Sequence, residues 1–421
     1  MVSRALRPRR AVVAVGAGAG RSDWSSLQVD LLRSVLMRLA GDRERARFGA
    51  VCKGWGAAAT AWPSRPWLVG SRADDWSGLS AATVSSFWLS QGERGLAPFD
   101  VDVPAGSEYL SSSRGYLALW NPLDSPRAIT LFNPVTGRRI RLPPIGFFKR
   151  WHDVATIVLS DDPDTAEEWS AVAVGFPANS LAWYSSATGE WTPLSFSFAG
   201  YAGVEHFRRR FYVAFKSQLC VLELDGGAPA VIPLELQAGN DDDHSSESGC
   251  RNNGGSGLRD EDPPSKRIVE THLVECDGEL LVVSMHDEVA YNTANSEGVL
   301  GNFGRKARHS DDERWVDVHR VQWLEGGAVR LVRVQDLGSH ALFVGRNHAF
   351  ALSPEEFPAC RANCIYAVEM QGHPGGLVRV LNFNDDSTEW AFPDEDIFPD
   401  DGAGGSPSAA WARRGWVFPK Y

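Results

Sequence analysis

Apolar residues between positions 28 and 59 recur with the period of a helix. Counting from Gln28, the residues Leu31, Leu32, Val35, Leu36 and Leu39 fall at i+3, i+4, i+7, i+8 and i+11. A second series, Phe48, Val51, Cys52, Trp55 and Ala59, comes after it with the same kind of spacing. Each series places its apolar side chains on one face of an α-helix, so two short amphipathic helices are expected. Gly41 is the expected end of the first, and Asp42 the expected N-cap of the second. Helices this short bury little against each other, so part of their surface needs a further partner.

From about Trp67 the helical period gives way to short aromatic and β-branched runs broken by Gly, Asn, Asp and Pro, the pattern of strands and turns. The clearest unit is Ile129-Thr130-Leu131-Phe132, a turn Asn133-Pro134-Val135-Thr136-Gly137, and a returning strand Arg138-Arg139-Ile140-Arg141-Leu142. It recurs 52 positions later around Leu181-Ala182-Trp183-Tyr184, with Thr188-Gly189 where Thr136-Gly137 stood. Glycine supplies the positive φ that such turns require. A second hairpin type places a polar or glycine turn before an apolar strand. It is seen at Arg114-Gly115-Tyr116, Arg209-Arg210-Phe211, Asp277-Gly278-Glu279, Asn347-His348-Ala349 and Arg414-Gly415-Trp416.

Two hairpin types alternating with a period near fifty residues fit the four-stranded blades of a β-propeller, each buried only against its neighbours. The fold expected is therefore mostly β: a small helical domain at 24–60, then a propeller of about five or six blades over 67–421. Closure is expected to bring the last strands, near Trp411–Phe418, beside a first blade near Tyr116–Trp120. A single sandwich is disfavoured, because its core could not absorb so long a run of strands. Residues 238–267 and 292–313 are polar and poor in apolar side chains, and are expected to be mobile insertions between strands.

Composition narrows the class. Of the 421 residues, 43% are hydrophobic and 23% charged, which is the make-up of a soluble globular protein. No apolar run is long enough to span a bilayer. Residues 1–23 hold five arginines and no acid before Asp23, and are read as a disordered basic arm, with a transit peptide as the alternative. Residues 1–60 carry net charge +7 in a chain of net −11. The acidic body argues against nucleic-acid binding, while the basic head either meets an acidic partner or solvates its own outer helix faces. The six cysteines, Cys52, Cys220, Cys250, Cys276, Cys360 and Cys364, are scattered, which fits reduced intracellular thiols, in cytoplasm or nucleus. Cys360 and Cys364 lack a second pair at zinc-like spacing, so no metal is expected.

The chain carries no complete motif of known chemical mechanism. The glycines in Val12–Arg21 have the wrong spacing for a dinucleotide loop, and a helix pair comes after them where a βαβ unit would be needed. Gly254–Leu258 lacks the last glycine of a nucleophile elbow, and there is no phosphate-binding loop and no His-Glu-x-x-His. Trp151-His152-Asp153 reads as a blade turn. No catalytic residue and no cofactor is expected.

Two resemblances add to this reading. Trp24, Leu27, Asp30-Leu31-Leu32, Val35, Leu39 and the Arg47…Val51-Cys52-Lys53-Gly54-Trp55 ending resemble the F-box, with Gln28 where the motif usually has proline at a helix start. The body is similar to plant F-box proteins that carry a kelch-like propeller, through Leu337-Gly338…Ala341-Leu342-Phe343-Val344-Gly345, Asn363-Cys364-Ile365-Tyr366, Leu131-Phe132-Asn133-Pro134 and His272–Leu281. The resemblance implies a non-catalytic substrate-recognition subunit of a cullin-type (SCF) ubiquitin ligase. Leu27, Leu31, Leu32, Val35, Leu39, Val51, Cys52 and Trp55 would meet a Skp1-type adaptor and through it a cullin. The propeller would hold a target protein, with no membrane or nucleic acid involved. The alternatives are a propeller enzyme and a non-degradative binding scaffold.

Overall fold

The computed structural model describes residues 24–418 apart from internal stretches, the longer of which are 73–81, 87–96, 238–265, 289–313 and 391–410. The basic arm, the Val12–Arg21 glycines, Trp151–Asp153, Cys250 and the stretch 292–313 lie outside the described residues. The chain divides into two compact units, Met1–Ala61 and Trp62–Tyr421.

In the first unit a single 3-10 turn, Trp24–Ser26, precedes three α-helices: α1 (Val29–Leu36), α2 (Asp42–Gly49) and α3 (Lys53–Thr60). Two helices were expected. The second apolar series is split by a turn at Ala50–Cys52, so Phe48 lies on α2 and Trp55 on α3, and their rings meet with centroids 4.5 Å apart. Asp42 opens α2 as its first residue, and α1 ends at Leu36, before the expected stop. Gln28 is the residue just outside α1, and its carbonyl accepts hydrogen bonds from Leu31 N (3.0 Å) and Leu32 N (3.1 Å). It therefore caps the helix and is not its first helical position. Leu32, Leu36, Phe48, Ala58 and Ala59 form the small core of this unit.

The second unit is a β-propeller whose described strands form six sheets. The first sheet holds β1 (Trp67–Arg72), β2 (Ala82–Ser86) and β3 (Ala97–Phe99). The second holds β4 (Glu108–Ser113), β5 (Tyr116–Trp120), β6 (Ile129–Phe132) and β7 (Arg139–Arg141). The third runs from β8 (Thr156–Leu159) and β9 (Ser170–Val174) to β10 (Leu181–Ser185) and β11 (Glu190–Leu194). The fourth comprises β12 (Gly203–Phe207), β13 (Arg210–Phe215), β14 (Gln218–Glu223) and β15 (Ala230–Pro233). The fifth comprises β16 (Lys266–Cys276), β17 (Glu279–Glu288), β18 (Arg314–Trp323) and β19 (Val329–Arg333). The sixth has five strands, β20 (Ala341–Val344), β21 (Phe350–Leu352), β22 (Cys364–Glu369), β23 (Leu377–Asn382) and β24 (Thr388–Trp390), with β21 outermost in the order beside β20 and β20 parallel to β22. The last strand, β25 (Trp411–Val417), returns to the first sheet and pairs antiparallel with β1.

That return closes the ring. Edge strands pack in sequence around it, β25 by β4, β4 by β8, β8 by β12, β12 by β16, and β16 by β21. Closure is made inside the first sheet, by Trp67↔Val417 and Leu68↔Trp416; β25 also lies beside the second sheet, Val417 sharing a core with Leu117 and Leu119, but Tyr116–Trp120 is the second strand of that sheet and not part of the first. The reason lies in β1: without β25 its inner edge would be left unpaired. Arg414-Gly415, expected as a turn, lies within β25 at a bulge, since Val69 faces Gly415 and Gly70 faces Arg413.

The second strand of a sheet can be buried on both faces and is then apolar throughout, as β5 is. In β5, Tyr116, Ala118 and Trp120 enter the core shared with the third sheet, while Leu117 and Leu119 enter the core shared with the first. The period of two therefore separates two neighbours, not core from solvent. The two units read as a 52-residue repeat are equivalent outer hairpins, β6–β7 and β10–β11, with Gly137 at φ 75° and Gly189 at φ 69°. The inner hairpins turn in two residues with both φ values positive at Arg114-Gly115 and Asp277-Gly278. At Arg208-Arg209 the same turn is made without glycine, one residue earlier than the expected Arg209-Arg210, at some conformational cost. The loop expected over 238–267 is shorter than read, because Lys266 and Arg267 begin β16 opposite Glu288 and Asp287.

Candidate functional site

Two places in the molecule combine unusual exposure or unusual burial with chemistry. The first is the surface of the helical unit. Leu31 and Val35, one turn apart on α1, are 52% and 41% exposed, and Val51 is 57% exposed. Trp24 and Val29 are exposed as well. Leu27, Leu39, Cys52 and Trp55 are half-buried, the last with its Nε1 donating to the Trp24 carbonyl at 2.8 Å. Leu32, of the same expected set, is buried in the core of the unit. Neighbours in sequence on one helix point about 100° apart, so the Leu31-Leu32 pair divides between surface and core.

The second place lies on the propeller axis. Ser113 ends β4 in the second sheet, Glu205 lies in β12 of the fourth, and His348 precedes β21 in the sixth. Alternate sheets of a ring can meet only across its centre. His348 Nε2 and Glu205 Oε1 are 2.6 Å apart, and His348 Nδ1 lies 3.1 Å from Ser113 Oγ. Ser113 Oγ also accepts from Leu159 N at 3.0 Å, and the short contact to the Glu205 carboxylate, an acceptor when ionised, is made by Nε2 as donor. Glu205 Oε1 also accepts from His206 N at 3.0 Å. Burial holds the His206 imidazole below its ordinary pKa, opposed by Asp161 and reinforced by Arg114.

The serines of β4 explain how the inner edges are satisfied. Ser111 Oγ accepts from Ile157 N at 2.9 Å as Ser113 does from Leu159 N, and Ser112 Oγ donates to the Trp416 carbonyl. One strand thereby stitches the edge of the third sheet on one side and of the first on the other. Asn347 Oδ1 accepts from Trp416 N at 3.2 Å, and Tyr109 Oη donates to the Arg346 carbonyl at 2.7 Å, adding to the same seam. Beside the cluster is a cavity of about 160 Å³, lined among others by Arg114, Glu205, Glu275, His348, Phe350 and Phe418.

Sequence assigned none of these axial residues a functional role; Arg114, Asn347 and His348 figured there only as turn residues. Glu205 and His348 are 143 positions apart and carry no motif, so only closure of the ring brings them together. A larger cavity, about 490 Å³, opens between the fifth and sixth sheets. Asp317 lines it, hydrogen-bonded to His286 at 3.1 Å and paired with Arg333 at 3.2 Å. The His286 hydrogen bond holds the Asp317 carboxyl below its usual range. Cys360 and Cys364 are both buried in the core between the sixth and first sheets. Among the described residues no cluster of His, Cys, Asp and Glu is arranged to hold a metal, and no helix is long and apolar enough to cross a membrane.

Residues 89–397 match the family model described as KIB1-4 beta-propeller. The chain belongs to this family. The match begins after β2 and ends before β25, so the two strands whose pairing closes the KIB1-4 ring lie outside it. Among solved structures, TolB from Acinetobacter baumannii aligns at 13% identity with a TM-score of 0.38, covering 82% of this chain and 69% of that one. AztD from Citrobacter koseri aligns at 9% identity with a TM-score of 0.29, covering 85% of this chain and 97% of that one. No curated protein matches the chain.

Proposed function

We propose that this chain is a receptor subunit that docks an adaptor of the Skp1 type through its helical unit and presents a target on its propeller. The observation that carries this reading is the exposure of Leu31, Val35 and Val51, with Trp24 and Val29, on a unit whose own core is Leu32, Leu36, Ala58, Ala59 and the Phe48–Trp55 contact. Apolar side chains gathered on so small a unit favour a protein partner. The F-box resemblance names the kind of partner, and the basic charge of residues 1–60 suits an acidic one. Ubiquitin transfer belongs to other subunits, and this chain contributes proximity by raising the effective concentration of target lysines near the conjugating enzyme. The chain itself is then non-catalytic and acts in cytoplasm or nucleus.

The test is co-purification of adaptor and cullin with the chain under native conditions, with and without Leu31→Glu and Val35→Glu together. Truncating central apolar anchors commonly costs about 2 kcal/mol each, so the double variant is expected to lose adaptor while its propeller melts as before. Undiminished capture of adaptor by the variant would reject the assignment.

A further inference from the structure

We propose that the axial cavity of the propeller is the seat for one basic side chain, lysine or arginine, of a bound target protein. The proposal rests on the receptor reading for the identity of the partner, and on the cavity itself for the chemistry.

The balance of charge in the cavity is the first argument. Glu205 is 2% exposed, and both of its contacts fall on Oε1; Oε2 has no partner among the described residues. Glu275, from β16, lines the same cavity with its carboxylate free of any ion pair among the described residues. Arg114 also lines it, but its Nε is directed at the Leu159 carbonyl, 3.5 Å away. Glu205 and Glu275 thus bring two carboxylates to a lining whose one guanidinium is Arg114, and neither the Glu275 carboxylate nor Glu205 Oε2 is taken up by it among the described residues.

Preorganisation is the second argument. Folding has already taken Glu205 out of water, so an arriving cation gains attraction without repeating that desolvation cost for the carboxylate. The His348 and His206 hydrogen bonds fix the carboxylate plane and leave only Oε2 to serve a ligand. Part of the lining is apolar. Phe350 and Phe418, with ring centroids 5.7 Å apart, lie against the cavity and can hold the methylene stem of a long basic side chain. A volume of about 160 Å³ admits one such side chain and excludes a folded segment. An acidic side chain would bring its carboxylate against Glu205 and Glu275.

Calorimetry or saturation-transfer NMR on the full chain decides this. The probes are N-acetyl-lysine methylamide, N-acetyl-arginine methylamide, the uncharged isostere N-acetyl-norleucine methylamide, and butylammonium chloride as a free amine. The basic amino-acid probes are expected to bind about tenfold or more tightly than the norleucine probe. They are also expected to lose about tenfold in Glu275→Gln, a surface change that leaves the core intact, and at least as much in Glu205→Gln. Equal binding of the norleucine probe, or a lysine probe indifferent to Glu275→Gln, overturns the proposal. So does binding of butylammonium without the amino-acid probes, which would mark a site for free amines. Adaptor capture measured on the same preparations separates the two readings. Absent probe binding with intact adaptor capture overturns the axial site alone, whereas probe binding without adaptor capture upholds the site and counts against the receptor role.

Discussion

Gly203 offers a sharp test of how tightly neighbouring sheets meet near the axis. A Cβ on Gly203 would lie 2.7 Å from Thr271 O, 2.7 Å from His272 Cα and 2.7 Å from Leu273 N, all backbone atoms of β16 in the next sheet. Ordinary van der Waals contact begins near 3.4 Å, and no side chain can rotate aside, so Gly203→Ala must push β12 and β16 apart. The separation opens the core that Phe207, Tyr212, Leu273 and Leu280 share. Overpacking of this kind costs about 1–3 kcal/mol, and the upper end applies where only backbone can yield. At roughly 2 °C per kcal/mol for a unit this large, the apparent melting temperature should fall by about 4–6 °C. Gly137→Ala is the control. Its φ of 75° is unfavourable for alanine, but nothing lies within 4 Å of the added methyl, so about 1–2 kcal/mol is expected. Thermal unfolding followed by circular dichroism at one scan rate compares the two. If Gly203→Ala melts at or above Gly137→Ala, the close approach of the sheets is wrong and the ring is looser than described.

Three further outcomes rest on the same kinds of contact. His348→Ala leaves Glu205 Oε1 buried with only the His206 N–H, and should lower stability in urea by about 2–3 kcal/mol, part of which Glu205→Gln recovers in the double variant; strictly additive losses would mean the pair is not coupled. Ending the chain before Trp411 removes β25 and with it the Trp416 contacts to Phe343 and Tyr366, so the whole ring, not one blade, should become labile to hydrogen exchange; protection unchanged outside the first sheet would contradict closure through β1. Gln28→Pro retains the carbonyl that caps α1 and should leave adaptor capture unchanged or stronger, and a large loss would show that the Gln28 side chain makes its own contact.

The local pattern of the chain was enough to identify helices between residues 28 and 59, hairpins after Trp67, and a repeat of one blade in the 52 positions separating Thr136-Gly137 from Thr188-Gly189. These are legible because periodicity and turn chemistry are set by neighbours within a few residues. The same locality explains the errors. A periodic series cannot reveal that Ala50–Cys52 breaks it, and Leu31 and Leu32 look alike until α1 packs on α3 and buries only Leu32. Arg414-Gly415 has the composition of a turn, yet pairing with β1 holds it in a strand.

What only the tertiary structure decided is the axis. Ser113, Glu205 and His348 come from three sheets, and no spacing in the chain brings them within hydrogen-bond distance. Their meeting depends on how many sheets the ring holds and on which strand closes it, quantities fixed by the packing of six cores against one another. Sequence determined the blades, because each is a local object; closure determined the site, because a ring's centre belongs to no blade.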